Sequence, residues 1–133
     1  MNQVRVIKFI SVFLLLVNAT GALYGGYSLI TQPSGAGLQL PIEFLEPTPF
    51  TDYFIPGIIL FVFNGIFSLV VVASVIRNSR YSARLVVAQG VILTGWIIVQ
   101  VLMIQIIYYL QFVLGGVGIT LIFLGTLLKR KII

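Results

Sequence analysis

Long apolar stretches dominate the chain and predict its secondary structure. A helix that crosses a hydrocarbon core of about 30 Å needs roughly 20 apolar residues. Four stretches meet or approach that length, at 6–30, 53–76, 85–107 and 110–128, and none carries a charge away from its ends. Because the stretches are continuous rather than alternating, they favour helices over barrel strands. We predict an all-α polytopic membrane four-helix bundle, a single transmembrane domain spanning 1–133.

The first stretch has an alternative interpretation as a cleaved signal peptide, because Arg5 and Lys8 precede its apolar run. That run is about 24 residues long, whereas the apolar region of a signal peptide has about 7–15. We therefore predict a retained helix. Composition agrees with a membrane protein: hydrophobic residues make up 59% of the chain, charged residues only 8%, and mean hydropathy is +1.14. Soluble domains carry about 25% charged residues, so a soluble or disordered chain is excluded.

Charge distribution predicts the orientation in the membrane. All eight basic residues lie just before or at the start of the first stretch, between the second and third, or after the fourth, whereas the loop at 31–52 has three acids and no basic residue. Basic flanks favour the cytoplasmic side, so we predict cytoplasmic termini, an external loop at 31–52 and a multi-pass protein of the cell (inner) membrane. The net charge of +5 suits anionic lipid headgroups, which makes the bilayer the expected partner and requires no nucleic acid.

Several residue types needed for catalysis or metal binding are missing from the sequence. There is no cysteine and no histidine, and the only acids are Glu43, Glu46 and Asp52. Thiol chemistry, thiolate metal sites and the usual general base near neutral pH are therefore excluded. The sequence predicts no catalytic constellation, no metal site and no required cofactor, and hence a protein that is not an enzyme.

The loop at 31–52 is rich in turn-forming residues, with prolines at 33, 41, 47 and 49. Its middle predicts either one interfacial helical turn, with Phe44 and Leu45 reaching into lipid, or a plain connector. At its end, Thr48 is a suitable N-cap and Pro49 a suitable first residue for the second helix, with Asp52 in the first turn. Pro56 would then lie further inside and predicts a mild kink.

Four polar residues near the middle of the spans predict an intramembrane polar layer. They are Asn18, Asn64, Thr94 and Thr120, one in each span. Polar side chains in hydrocarbon seek partners, so the layer is expected to hold the helices together by hydrogen bonds. A ligand or ion site is the alternative interpretation.

A second polar group lies towards the predicted external side: Tyr24, Tyr27, Tyr53, Gln100, Gln105, Tyr108 and Tyr109. Interfacial tyrosines usually form an aromatic belt, which accounts for Tyr53, Tyr108 and Tyr109. The candidate ligand-binding residues are Tyr24, Tyr27, Trp96 and Gln100. Tyr24 and Gln100, however, should lie about 8–9 Å from their span centres, still inside hydrocarbon. If the face shared by Trp96 and Gln100 points inward, an outward-opening pocket would form, suited to a lipid or quinone-like molecule.

Small residues recur at helical spacing in every span, including the pairs Gly21/Gly25 and Ala22/Gly26. Such residues allow close helix packing in membranes. The pattern predicts a compact bundle but does not distinguish internal packing from a homo-oligomer.

The order of turn motifs resembles that of small four-span bacterial membrane proteins and, more distantly, the DoxX-like group. The motifs are Gly25-Gly26-Tyr27-Ser28, Thr31-Gln32-Pro33-Ser34-Gly35, Pro49-Phe50-Thr51-Asp52-Tyr53 and Pro56-Gly57. Some DoxX-like proteins are linked to quinone-dependent redox complexes. The resemblance implies an accessory membrane subunit or a binder of a hydrophobic ligand, and it transfers no catalytic residue.

We therefore predict a structural or accessory membrane protein, either a subunit of a larger complex or a homo-oligomer. The alternative is a binder of a lipid or quinone in the outward-facing pocket, either on its own or within a redox complex. A transporter or channel is a weaker third interpretation, because no charged pathway crosses the spans.

Overall fold

Four long helices form the described part of the chain in a computed structural model that describes residues 3–38, 45, 49–104 and 109–132. Helix α1 is Gln3–Thr31, α2 is Phe54–Ile76, α3 is Ser82–Ile104 and α4 is Tyr109–Ile132. A short 3-10 turn, Ala36–Leu38, follows α1. Each of the four helices is long and apolar enough to cross a membrane, and no strand occurs in these described residues. The chain is thus a multi-pass helical bundle.

Consecutive helices run antiparallel, which brings most of the basic residues to one end. Lys8 of α1 bonds to Asn78 just after α2, and Ile7, Ala83 and Leu128 from α1, α3 and α4 share one buried cluster. The start of α1, the end of α2, the start of α3 and the end of α4 therefore lie together. We call this the basic end; its charged residues include Arg5, Lys8, Arg77, Arg80, Arg84, Lys129 and Arg130. The opposite end is the loop end.

The centre of the bundle is filled by branched aliphatic side chains from all four helices. The main buried cluster consists of Leu15, Val71, Val72, Val75, Val86 and Leu121. The outward faces are also apolar, with large exposed side chains such as Phe13, Phe63, Ile98 and Phe123. An apolar surface around the whole bundle is what a helix surrounded by lipid requires.

Glycines bring the helices into backbone contact along two internal seams. A Cβ at Gly26 would lie 2.7 Å from the Cβ of Phe61, so α1 and α2 touch there. A Cβ at Gly90 would lie 2.6 Å from the carbonyl oxygen of Gly118, so α3 and α4 touch as well. By contrast, a Cβ at Gly21 would meet nothing within 4 Å. The close-packing pair in α1 is therefore Ala22 and Gly26, which are both buried, and the contact is internal.

The predicted N-cap and first turn of the second helix were wrong, although the predicted stretch at 53–76 begins within one residue of the helix. The helix begins at Phe54, and Asp52 precedes it, where its Oδ1 accepts a hydrogen bond from the backbone N–H of Phe54 at 3.0 Å. Pro49 lies before the helix, and Thr48 lies outside the described residues. Because Pro56 falls in the first turn, where helical N–H groups have no intrahelical partner, its missing N–H breaks no helical bond and the predicted kink has no cause.

The loop end is closed by contacts between the loop and the helix ends. The backbone N–H of Tyr53 donates to the carbonyl of Pro33 at 2.8 Å. Leu45 is buried with Leu29 and Tyr53, each no more than 5% exposed. Leu45 thus packs against protein rather than lipid, and Tyr53 is a core residue instead of an interfacial one. The remainder of the predicted interfacial turn, including Phe44, lies outside the described residues.

Candidate functional site

A cluster of four buried polar side chains joins α1, α2 and α3 near the middle of the bundle. The Nδ2 group of Asn18 donates to Ser68 Oγ at 2.9 Å and to the backbone carbonyl of Asn64 at 3.2 Å. The Nε2 group of Gln89 donates to Asn64 Oδ1 at 3.3 Å. Asn64, Ser68 and Gln89 are completely buried and Asn18 nearly so. We call Asn18, Asn64, Ser68 and Gln89 the amide cluster.

The backbone of α2 is unusual where it meets this cluster. Residues Leu60–Ile66 form a π-helical segment between two α-helical ones, and the N–H of Phe67 bonds to the carbonyl of Val62, five residues earlier. A π segment widens the helical turn and is uncommon outside short bulges. Asn64 lies inside the segment and uses both its backbone carbonyl and its side-chain oxygen to bind other helices. The segment therefore coincides with the junction of three helices.

The hydrogen bonding of the amide cluster is incomplete among the described residues. Asn64 Nδ2 and Gln89 Oε1 are buried and have no hydrogen-bond partner there. Exchanging the oxygen and nitrogen of both amides would reverse the single bond between them and would still leave one donor and one acceptor unused. Each unused buried group costs about 1–3 kcal/mol, so the cluster stabilises the bundle less than its bonded pairs alone would.

Only part of the predicted polar layer meets in this cluster. The structure brings Asn18 and Asn64 together, but not Thr94 and Thr120. Thr120 is exposed and its hydroxyl donates to the carbonyl of Gly116 in its own helix at 2.7 Å. Thr94 Oγ1 is buried without a partner among the described residues and lies where a side chain at Gly118 would be.

Ser68 and Gln89 belong to the cluster and were absent from the prediction. Gln89 lies about 6 Å along α3 from the helix midpoint, so selecting only the most central polar residue of each span excluded it. The residue type is the signal that could have identified Gln89. An amide side chain inside hydrocarbon needs a partner beyond its own helix, whereas a threonine hydroxyl can bond four residues back.

The residues of the predicted outward-facing pocket occupy two separate helices. Tyr24 and Tyr27 lie on an outer face of α1, where their side chains are 66% and 62% exposed. Trp96 and Gln100 lie on α3 and are half-buried. Helix α1 packs mainly against α2 and α4, and α3 mainly against α4, so the structure does not bring the two pairs together as one lining.

The chemistry open to the amide cluster is hydrogen bonding without charge. Its members are the carboxamide side chains of two asparagines and one glutamine, together with a serine hydroxyl. None of these groups changes protonation near neutral pH. Such a cluster can fix three helices relative to one another, or present one donor and one acceptor to a small neutral group. No protein-family model, curated protein or solved structure matches this sequence.

Proposed function

We propose that this chain is a structural or accessory integral membrane protein without enzymatic activity, a subunit of a membrane complex or of a homo-oligomer. The observation that carries the proposal is the amide cluster. It links polar side chains of α1, α2 and α3 by hydrogen bonds, with Asn18 donating to both Ser68 and Asn64. Neutral side chains that bind each other hold helices in place and offer no proton or ion pathway.

The packing of the glycines supports a bundle whose remaining contact surfaces face outward. Six glycines lie in close contacts between helices inside the bundle: Gly26, Gly57, Gly65, Gly90, Gly118 and Gly125. Gly21 on α1, Gly95 on α3 and Gly116 on α4 face open space instead. A second copy or another subunit would therefore meet the outward faces of these helices and leave the internal seams intact.

We further propose that both termini lie in the cytoplasm, with the loop outside, in the cell (inner) membrane. The concentration of basic side chains at one end supports this orientation through the preference of Lys and Arg for the cytoplasmic side. A C-terminal fluorescent-protein fusion is expected to fluoresce, and a C-terminal alkaline phosphatase fusion to be inactive. Active phosphatase would reverse the orientation.

Native mass spectrometry of the protein released from lipid nanodiscs tests the functional proposal, since it reports subunit count and bound mass together. We expect a defined oligomer, or a complex with another protein, without a retained small molecule of fixed mass. A monomer that retains one such molecule would contradict the structural role and identify the ligand class.

A lipid or quinone-like ligand is the second candidate. The observation that favours it is the half-burial of Trp96 and Gln100, one turn apart on α3 in the half towards the loop end. Part of each side chain thus remains accessible from the bilayer, which is how an aromatic ring and an amide would hold an apolar molecule with a polar head. The distant resemblance to DoxX-like proteins agrees with this candidate.

A further inference from the structure

An open groove at the basic end combines cations with apolar walls. It lies between the first turns of α1 and the end of α2 and has a volume of about 550 Å³. Arg5, Lys8 and Asn78 form its polar edge, while Phe9, Val12 and Ile76 belong to its apolar wall. Its volume falls in the range of about 300–1,000 Å³ found for small-molecule sites.

The polar edge of the groove is held in position by the turn after α2. Asn78 has a positive φ of 56°. Its N–H bonds to the carbonyl of Val75, and the N–H of Ser79 bonds to that of Ser74, which is the Schellman arrangement that ends many helices. In this fixed position Asn78 Oδ1 accepts a hydrogen bond from Lys8 Nζ. Lys8 is thereby directed to the groove and still has two ammonium hydrogens to donate.

The positive charge of the groove is not neutralised by the protein's acids. The chain's only acidic side chains are Glu43, Glu46 and Asp52, all in the loop that connects the other ends of α1 and α2. Arg5 and Lys8 thus complement an anion from outside the chain.

The depth of the groove matches the position of lipid phosphates. Counting from the middle of α1, Lys8 lies about 14 Å away and Arg5 about 18 Å away along the helix. The hydrocarbon core extends about 15 Å from the bilayer centre, so the two cations lie at the start of the headgroup layer. Phe9, which is 74% exposed, and Val12 lie on the hydrocarbon side of them.

We propose that this groove is a binding site for an anionic phospholipid. Arg5 and Lys8 bind the phosphate and its headgroup, and Phe9, Val12 and Ile76 contact the first part of the acyl chains. The site differs from the ligand pocket considered above, because it lies at the opposite end of the bundle. It requires neither the proposed orientation nor the proposed structural role.

The test begins with wild-type protein in nanodiscs of equal parts phosphatidylcholine and phosphatidylglycerol, released and weighed by native mass spectrometry. We expect retained phosphatidylglycerol in excess over phosphatidylcholine. Because Arg5 and Lys8 contact the phosphate directly in this proposal, the Arg5→Gln/Lys8→Gln variant should lower the retained excess about tenfold or more. The control, Lys129→Gln/Arg130→Gln, removes the same charge from the same end outside the groove and should retain it.

A second pair of variants tests the apolar wall. Phe9→Ala should weaken retention, whereas Phe13→Ala, one turn further along α1 and 59% exposed, should not. Both side chains are too exposed for their loss to unfold the bundle, and the thermal midpoint of each variant checks this. The proposal would be overturned if a groove variant and its control lost the same amount of retained lipid, in either the charge pair or the phenylalanine pair. It would also be overturned if the wild type retained no excess of phosphatidylglycerol.

A competition experiment distinguishes a lipid site from a simple phosphate site. Short-chain phosphatidylglycerol should displace the retained lipid at concentrations where sn-glycerol 3-phosphate does not. Equal displacement by both would show that the apolar walls contribute nothing. A co-retained acidic protein in place of lipid would likewise refute the assignment.

Discussion

The contact between α3 and α4 at Gly90 allows a quantitative test of the packing. An alanine Cβ at this position would lie 2.6 Å from the carbonyl oxygen of Gly118 and 2.8 Å from both the backbone nitrogen and Cγ1 of Ile122. Ordinary contacts begin near 3.4 Å, and two of these three atoms are backbone. Gly90→Ala must therefore move the two helices apart by a large fraction of an ångström.

Overpacking of this kind costs about 1–3 kcal/mol, whereas alanine gains up to about 1 kcal/mol over glycine in helix propensity. Gly95→Ala is the matched control on the same helix, because a Cβ at Gly95 would meet no atom within 4 Å. We expect Gly90→Ala to be less stable than Gly95→Ala by about 1–3 kcal/mol.

Unfolding in mixed micelles with increasing dodecyl sulfate, followed by fluorescence of the single tryptophan Trp96, measures the difference. A double variant sharpens it: Gly118→Ala alone should also destabilise, but combined with Gly90→Ala it should cost less than the sum. Once one methyl group has separated the helices, the second meets less resistance. A Gly90→Ala variant as stable as Gly95→Ala, or strict additivity in the double variant, would refute the backbone contact.

Three further predictions concern the amide cluster, the turn at the basic end and the second candidate function. Asn18→Leu should lower the free energy of unfolding by about 1–2 kcal/mol, because it removes the bonds to Ser68 and Asn64. Ser11→Ala, which removes a buried hydroxyl without a partner among the described residues, should be neutral or stabilising. Equal behaviour of the two variants in the same unfolding assay would contradict a stabilising role of the amide cluster. Asn78→Ala should lower the free energy of unfolding by about 1–2 kcal/mol, because alanine tolerates the positive φ at this position poorly. Asn78→Gly should have the melting temperature of the wild type, and a reversed order of the two variants would contradict the turn geometry. Trp96→Ala or Gln100→Ala should weaken retention of a bound hydrophobic molecule in native mass spectrometry without lowering the melting temperature, and unchanged retention in both would remove the ligand-binding candidate.

The four spans were predictable from the sequence because charge and hydropathy vary on the scale of a whole helix. The predicted stretches at 6–30, 53–76, 85–107 and 110–128 overlap the four helices, Gln3–Thr31, Phe54–Ile76, Ser82–Ile104 and Tyr109–Ile132. The start of α2 was not predictable from cap preferences alone. Within nine positions there, two prolines, Pro49 and Pro56, accompany three residues that can cap a helix, Thr48, Thr51 and Asp52. The backbone bond from Tyr53 to Pro33 is a tertiary contact that no local pattern signals.

Inward and outward faces could not be assigned from polarity alone, since every side of each helix is apolar. The threonines illustrate the reason. Thr20, Thr120 and Thr126 all donate to the carbonyl four residues earlier and all face outward. Their hydroxyls are satisfied within their own helices, so they do not mark a helix interface.

No local sequence signal predicted the π-helical segment. The segment explains how α2 combines glycine packing against α1 with the hydrogen bonds of Asn64 to α1 and α3. Gly57 and Gly65 must both face α1, where a Cβ on either would lie 2.7 Å from a leucine side chain. Asn64 must at the same time direct its carbonyl to α1 and its side chain to α3. A regular α-helix turns about 100° per residue, so eight residues overshoot two turns by about 80°, and a wider turn reduces that overshoot. The widened segment Leu60–Ile66 thus keeps both glycines on the α1 side while leaving Asn64 between three helices. The irregular backbone therefore satisfies the contacts of α2 with α1 on one side and with α3 on the other.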